Sequence, residues 1–235
     1  MLLVFFTIGL ITILIIISSA GTLLGDSVNA AIPVGEFPQA LIFNPSDNNT
    51  YISNRDSGTV SVIDSNSNLV IKNITVGSSP GQLLFNPSNN NIYVANRGSG
   101  TVSVIDSSSN SVVNDTSVES SPFALEFNPS NNNIYVANRD SGTVSVIDST
   151  NNTLLKNVVV GSEPVALEFN PSNNNIYVAN FVSNSVSMIE NTNHTVTDTL
   201  SVSSLPIALK FNPSNGSVYV AGTLTGTEGL VSVMG

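Results

Sequence analysis

The chain has no cysteine and no tryptophan, a single histidine, and six lysines and arginines in 235 residues. Without cysteine there is no disulfide staple, no thiolate nucleophile and no thiolate metal site. Six basic side chains against 16 acidic ones, a net charge of −10, cannot neutralise the phosphates on which nucleic-acid affinity depends. The lone histidine, His194, stands in the link Asn191–Thr195 without a second His or a close carboxylate pair. That argues against a zinc site and against a Ser-His-Asp constellation, and leaves His194 expected in solvent. There is no glycine-rich phosphate loop either, so neither cofactor nor metal is expected. Charged residues are only 9% of the chain, and neutral asparagine and serine must keep the surface wet. What the chain does have is 41% hydrophobic residues, ample for a core and incompatible with disorder.

Leu2–Ile17 reads LLVFFTIGLITILIII, and no charge appears before Asp26. Such a run serves as the apolar core of a signal peptide or, with its uncharged flank, as a membrane anchor, and both readings of residues 1–24 stay open. No basic residue precedes it to set an orientation. Small-residue cleavage patterns occur at Ser18-Ser19-Ala20 and at Val28-Asn29-Ala30.

Self-similarity dominates the rest. Phe43, Phe85, Phe127, Phe169 and Phe211 each open a Phe-Asn-Pro tripeptide, 42 residues apart. Within one unit, β-rich runs at Leu125–Phe127 (a), Ile134–Asn138 (b), Thr143–Asp148 (c) and Leu154–Val160 (d) alternate with clusters of Asn, Ser, Gly and Pro. Links this short favour an antiparallel meander. One meander would leave apolar residues bare on both faces, so it needs similar partners. A period of about 40 to 45 residues with four strands per repeat is the mark of a β-propeller; a β-solenoid uses shorter coils.

The units resemble the YVTN family of β-propeller repeats through Tyr93-Val94-Ala95-Asn96, Tyr135-Val136-Ala137-Asn138 and Tyr177-Val178-Ala179-Asn180. Each is followed by a Val-Ser-Val-Ile-Asp-like strand and a Val-Gly-Ser-x-Pro-like link. The first and last units depart, with Tyr51-Ile52-Ser53-Asn54 and Tyr219-Val220-Ala221-Gly222, and the fourth reads Ser187-Met188-Ile189-Glu190. The resemblance implies an exported or surface-associated propeller and specifies fold far better than activity.

The expected architecture is therefore all-β, a propeller of five four-stranded blades over 28–235, with blades near 38–76, 80–118, 122–160, 164–202 and 206–235. The last unit ends at strand c, after an insertion near Thr223–Gly229. Its missing strand d is expected from Val28–Val34, which aligns with Val70–Val76 and keeps period two, so that head clasps tail. Pro33 is tolerable on that outer edge. Cleavage after Ala20 would preserve this strand, whereas cleavage after Ala30 would cut it in half. The alternative is an incomplete ring completed by oligomerisation.

Three sets of residues are candidate sites. Glu126, Glu168 and Lys210 precede the motif phenylalanine on the innermost strand of three successive blades, where they form an ion pair with channel water or hold a cation or polar ligand. Arg55, Arg97 and Arg139 follow strand b, with Asp56 and Asp140 beside two of them and Phe181 in the fourth blade's equivalent position. The b–c and d–a links share one propeller face, so these residues form a patch that either binds a ligand or is held by local pairing. Six Asn-x-Ser/Thr sequons, at Asn48, Asn73, Asn114, Asn151, Asn193 and Asn215, fall on the other face and the rim, leaving the arginine face free of glycan.

The functional expectation is a non-catalytic propeller at the cell exterior, secreted or tethered to the membrane, binding protein or glycan at the cell surface. A lyase or lactonase-type enzyme acting at the central channel is the alternative. A DNA-binding propeller ranks last, because the acidic balance opposes it.

Overall fold

The computed structural model describes residues 2–8, 11–17, 31–203, 205–223 and 229–235. The chain divides into two units, residues 1–31 and 32–235. In the first, Leu2–Ile8 pairs antiparallel with Ile11–Ile17, placing Leu2 opposite Ile17 and Ile8 opposite Ile11. The apolar run is thus extended, as its isoleucine-rich composition favours. No helix among the described residues is long and apolar enough to cross a membrane. Both cleavage patterns, at 18–20 and 28–30, and the boundary at residue 24 lie outside the described residues.

The second unit is all-β, and its sheets are antiparallel meanders in strand order a-b-c-d. Sheet one comprises Pro38–Asn44, Asn49–Asn54, Thr59–Asp64 and Leu69–Thr75. Sheet two comprises Pro80–Asn86, Asn91–Asn96, Thr101–Asp106 and Ser111–Ser117. Sheet three comprises Pro122–Asn128, Asn133–Asn138, Thr143–Asp148 and Thr153–Val159. Sheet four comprises Pro164–Asn170, Asn175–Asn180, Ser185–Ile189 and Val196–Ser201. Sheet five has three strands, Leu205–Asn212, Ser217–Thr223 and Gly229–Met234. Successive strands a pack against one another while successive strands d scarcely meet, so strand a is innermost, as in a propeller.

The links explain the asparagine content. The a–b, b–c and c–d turns of sheets one to three each contain a residue in the left-handed region, which asparagine and glycine tolerate best. Asn48, Asn90, Asn132 and Asn174 serve the a–b turns, Asn68, Asn110 and Asn152 the c–d turns, and Gly58, Gly100 and Gly142 the b–c turns.

The motif asparagine has a separate task. Asn138 donates to Ser145 Oγ at 2.8 Å and Thr143 Oγ1 at 3.1 Å, and Ser145 in turn donates to Asn157 Oδ1 at 2.7 Å. This chain ties strands b, c and d, running from buried Asn138 and Ser145 out to the exposed strand d. It recurs as Asn54-Ser61-Asn73, Asn96-Ser103-Asp115 and Asn180-Ser187-Thr199. The motif tyrosine bolts one sheet to the next: Tyr51 donates to Asn110 Oδ1 and Tyr93 to Asn152 Oδ1, at 2.7 and 2.8 Å.

Four apolar layers lie between successive sheets. In the second, Tyr93, Ala95, Val102 and Val104 of sheet two meet Leu125, Ile134, Val136 and Ile147 of sheet three. The other three layers repeat this contact at the 42-residue period. No such layer joins sheet five to sheet one among the described residues. Leu41, counterpart of Leu125, is 72% exposed where Leu125 is 2%. Val231 and Val233, counterparts of the fully buried Val144 and Val146, are 61% and 57% exposed.

The expected closing strand differs from what is found. Ala31–Val34 carries no strand, and the outer edge of Gly229–Met234 is unpaired among the described residues; Val28–Ala30 lies outside them.

Candidate functional site

The b–c and d–a links do share one face, as the backbone shows. The N–H of Arg55 donates to Phe37 O, Arg97 to Ser79 O, Arg139 to Ser121 O and Phe181 to Glu163 O, all within 2.9–3.1 Å. These four acceptors are the link residues at positive φ. The repeat thus presents the side chains at 55, 97, 139 and 181 around one mouth.

A second circle comes from a bulge. The a–b register shifts between Pro122 and Ala124, between Pro164 and Ala166, and between Pro206 and Ala208. The extra residues are Phe123, Val165 and Ile207, and a bulge re-aims the side chain it carries. Together with Arg139 and Phe181 they line a cavity of about 220 Å³. In sheet two the shift between Pro80 and Leu83 includes Gly81, where a Cβ would lie 2.9 Å from Arg97 Nε. The missing side chain is what makes room for Arg97.

The three arginines have different partners. Arg55 pairs with Asp56 at 2.8 Å and stacks on Phe37 at 4.0 Å. Arg139 pairs with Glu163, Nε at 3.0 Å and Nη2 at 2.6 Å, rather than with the expected Asp140. Arg97 has no carboxylate partner among the described residues. Its guanidinium stacks on Phe123 at 4.1 Å, with Arg139 at 5.6 Å from the same ring, and its Nε is buried without a hydrogen-bond acceptor. Burial first, then repulsion from Arg139 and Arg55, pulls the Arg97 pKa below the usual arginine value. Beside it lies a polar cavity of about 450 Å³ edged by Ser99, Ser117, Glu119 and Ser120.

The sequence pattern did not single out Phe123 or Glu163. The signal was present: each repeats the 42-residue position of Gly81 or Phe37 with a change of chemistry.

On the innermost strands, Lys210 Nζ lies 2.9 Å from Glu168 Oε1, and Glu168 also accepts the Phe211 N–H at 2.9 Å. The pair is lopsided, with Lys210 largely in solvent and Glu168 buried, so its net worth is small. Glu126 has no cationic partner within bonding distance among the described residues. Burial, and next the negative charge of Glu168, raise its pKa to about 7, against weaker opposing pulls from Lys210 and the Phe169 N–H. The three residues are thus adjacent, with one ion pair and one carboxyl that resists ionisation. No group of three or more His, Cys, Asp or Glu among the described residues is placed to hold a metal.

His194 is not in solvent as expected. It is half-buried, with Nδ1 3.0 Å from Tyr135 Oη and its ring edge-on to Tyr135 at 5.9 Å. It occupies the place that Asn110 and Asn152 take for Tyr51 and Tyr93, and burial lowers its pKa. Of the sequons, Asn48, Asn151, Asn193 and Asn215 lie exposed in a–b and c–d links, away from the arginine mouth. Asn73 and Asn114 lie on outer strands, but the Asn73 carbonyl already accepts from Ser61 and the Asn114 amide donates to Asn152 O.

The family model described as "Lactonase, 7-bladed beta-propeller" matches residues 69–160. No curated protein matches the chain in sequence. Among solved structures, the chain is similar to hydrazine synthase of Kuenenia stuttgartiensis, at TM-score 0.69 and 20% identity over 86% of this chain and 59% of that one. It is similar to a functionally unknown protein from Desulfotomaculum acetoxidans at TM-score 0.69 and 19% identity, over 86% of this chain and 66% of that one. It is also similar to the dihydro-heme d1 dehydrogenase NirN in complex with DHE, at TM-score 0.70 and 15% identity, over 83% and 44%. The chain spans between 44% and 66% of these structures' lengths. At such identities the likeness is one of fold, and the fold is that of a β-propeller.

Proposed function

We propose that the chain is a binding propeller of the cell exterior that engages a surface protein or glycan through its arginine-bearing mouth. The observation that carries this reading is Arg97, a guanidinium held half-buried beside two others with no carboxylate partner among the described residues. An unpaired buried donor costs about 1–3 kcal/mol, which a ligand acceptor would offset. The exposed sequons lie elsewhere, so glycans would leave the mouth clear. Membrane targeting through the apolar head segment belongs to the same proposal.

So does completion of the ring. The bare faces of sheets one and five are the two halves of a contact made four times within the chain, which suits cover by a sheet of this repeat. Closure by Val28–Val34 draws support from its alignment with strand d.

The test is capture of defined host surface proteins and acidic glycans. Arg97→Gln with Arg139→Gln should abolish capture while Asn151→Gln on the opposite side leaves it unchanged. Equal capture by all three proteins would overturn the reading.

An enzyme reading of lactonase type is favoured by the family-model match and by Glu126, a carboxyl on the innermost strand near neutrality in pKa. It requires turnover of a simple lactone that Glu126→Gln removes; turnover that survives this change would exclude Glu126 from it.

A further inference from the structure

The mouth is two-sided. Sheets three to five contribute Phe123, Val165, Phe181 and Ile207 to one wall, and Arg97 and Arg139 stand against Phe123 at its edge. Arg97 and Arg139 converge on one ring, and of the two only Arg139 has a carboxylate partner, Glu163, among the described residues, so the charge of Arg97 is left for an anion to offset. Glu163 occupies Nε and Nη2 of Arg139, leaving Nη1 of Arg139 and the whole Arg97 guanidinium without a protein acceptor among the described residues. The cavity's 220 Å³ is below the roughly 300–1,000 Å³ of most ligand sites, which limits the apolar body to about one ring.

We propose that this mouth takes a small organic anion, one aromatic or branched aliphatic group bearing a carboxylate, with the body against Phe123 and Phe181 and the carboxylate on Arg97 and Arg139. The placement follows the chemistry: guanidinium forks match carboxylates, and the re-aimed bulge residues supply the apolar wall. Gly81 belongs to the site by leaving space for Arg97. The inference deepens the binding reading above by naming the group recognised. Benzoate bound without any captured surface partner would remove the partner and keep the site.

The test is calorimetric titration of the full chain with benzoate, its neutral isostere benzamide, and acetate. Benzoate should bind at least tenfold tighter than either control, and the affinity should fall with added salt. Arg97→Gln should weaken benzoate about tenfold. Phe181→Arg, which installs the residue found at the equivalent place in three other blades, should bring benzoate down toward acetate. Because that position already carries arginine elsewhere in the fold, this variant keeps the test alive if Arg97→Gln does not fold. Benzamide binding as well as benzoate, or indifference to both changes, would overturn the proposal, as would the absence of benzoate binding. A peptide ending in a free phenylalanine carboxylate, compared with its amide, assigns the group to a partner's terminus if it outbinds benzoate and to a free acid if it does not.

Discussion

Two residues make opposite contributions to the pH dependence of stability. The folded pKa of His194 lies below the ordinary histidine value of 6.5, chiefly through burial. Between the two values the unfolded chain binds the extra proton, so this contribution is present above about pH 6.5 and is lost as pH falls. His194→Asn, the residue used at the equivalent sites of three other sheets, should flatten the acid side of a melting-temperature profile between pH 7.5 and 5. Glu126 acts in reverse. Its folded pKa of about 7 exceeds the ordinary 4.5, so the folded state holds the extra proton between them and stability falls as pH rises through that window. Glu126→Gln should therefore melt higher than wild type at pH 8 by a few degrees, at roughly 2–4 °C per kcal/mol, and no higher at pH 5. A variant that gains as much at pH 5 would assign the effect to packing. Neither role was legible in the sequence, which shows a loop histidine and a glutamate before a phenylalanine. Their burial comes from neighbouring sheets, Tyr135 for one and the strand carrying Glu168 for the other.

The strand and its links were the most legible level, because most local choices agree: Pro at the start of strand a, Asn or Gly at the left-handed positions of the a–b and b–c turns, alternating Val and Ile between; the d–a links, with Phe37, Ser79, Ser121 and Glu163 at positive φ, are the exception. The bulge after Pro122 was not legible, since an extra residue in a short apolar strand leaves the pattern almost unchanged, and with it went Phe123. The Asn138-Ser145-Asn157 chain is where strand chemistry departs from simple alternation. Ser145→Ala removes the buried acceptor of Asn138 and the donor to Asn157, and should cost about 1–3 kcal/mol. Chemical denaturation would show it as a lower midpoint with unchanged slope. Ser145→Thr, which keeps the hydroxyl, should recover part of the loss.

At the scale of the whole molecule, the 42-residue period gave the propeller and its five sheets, and the alignment of Val28–Val34 gave a closure that the described ladder lacks. Periodicity reports which residues are equivalent, whereas closure depends on how far each sheet rotates past the last. The contrast is measurable. Leu125→Ala, within a packed layer, should cost about 2–5 kcal/mol, whereas Leu41→Ala, its bare equivalent, should stay within about 0.5 kcal/mol. A large loss at Leu41 would mean that its face is covered in solution. Because the same seam joins every pair of neighbours, a gene duplication that copied one unit would need no fresh complementarity at either splice.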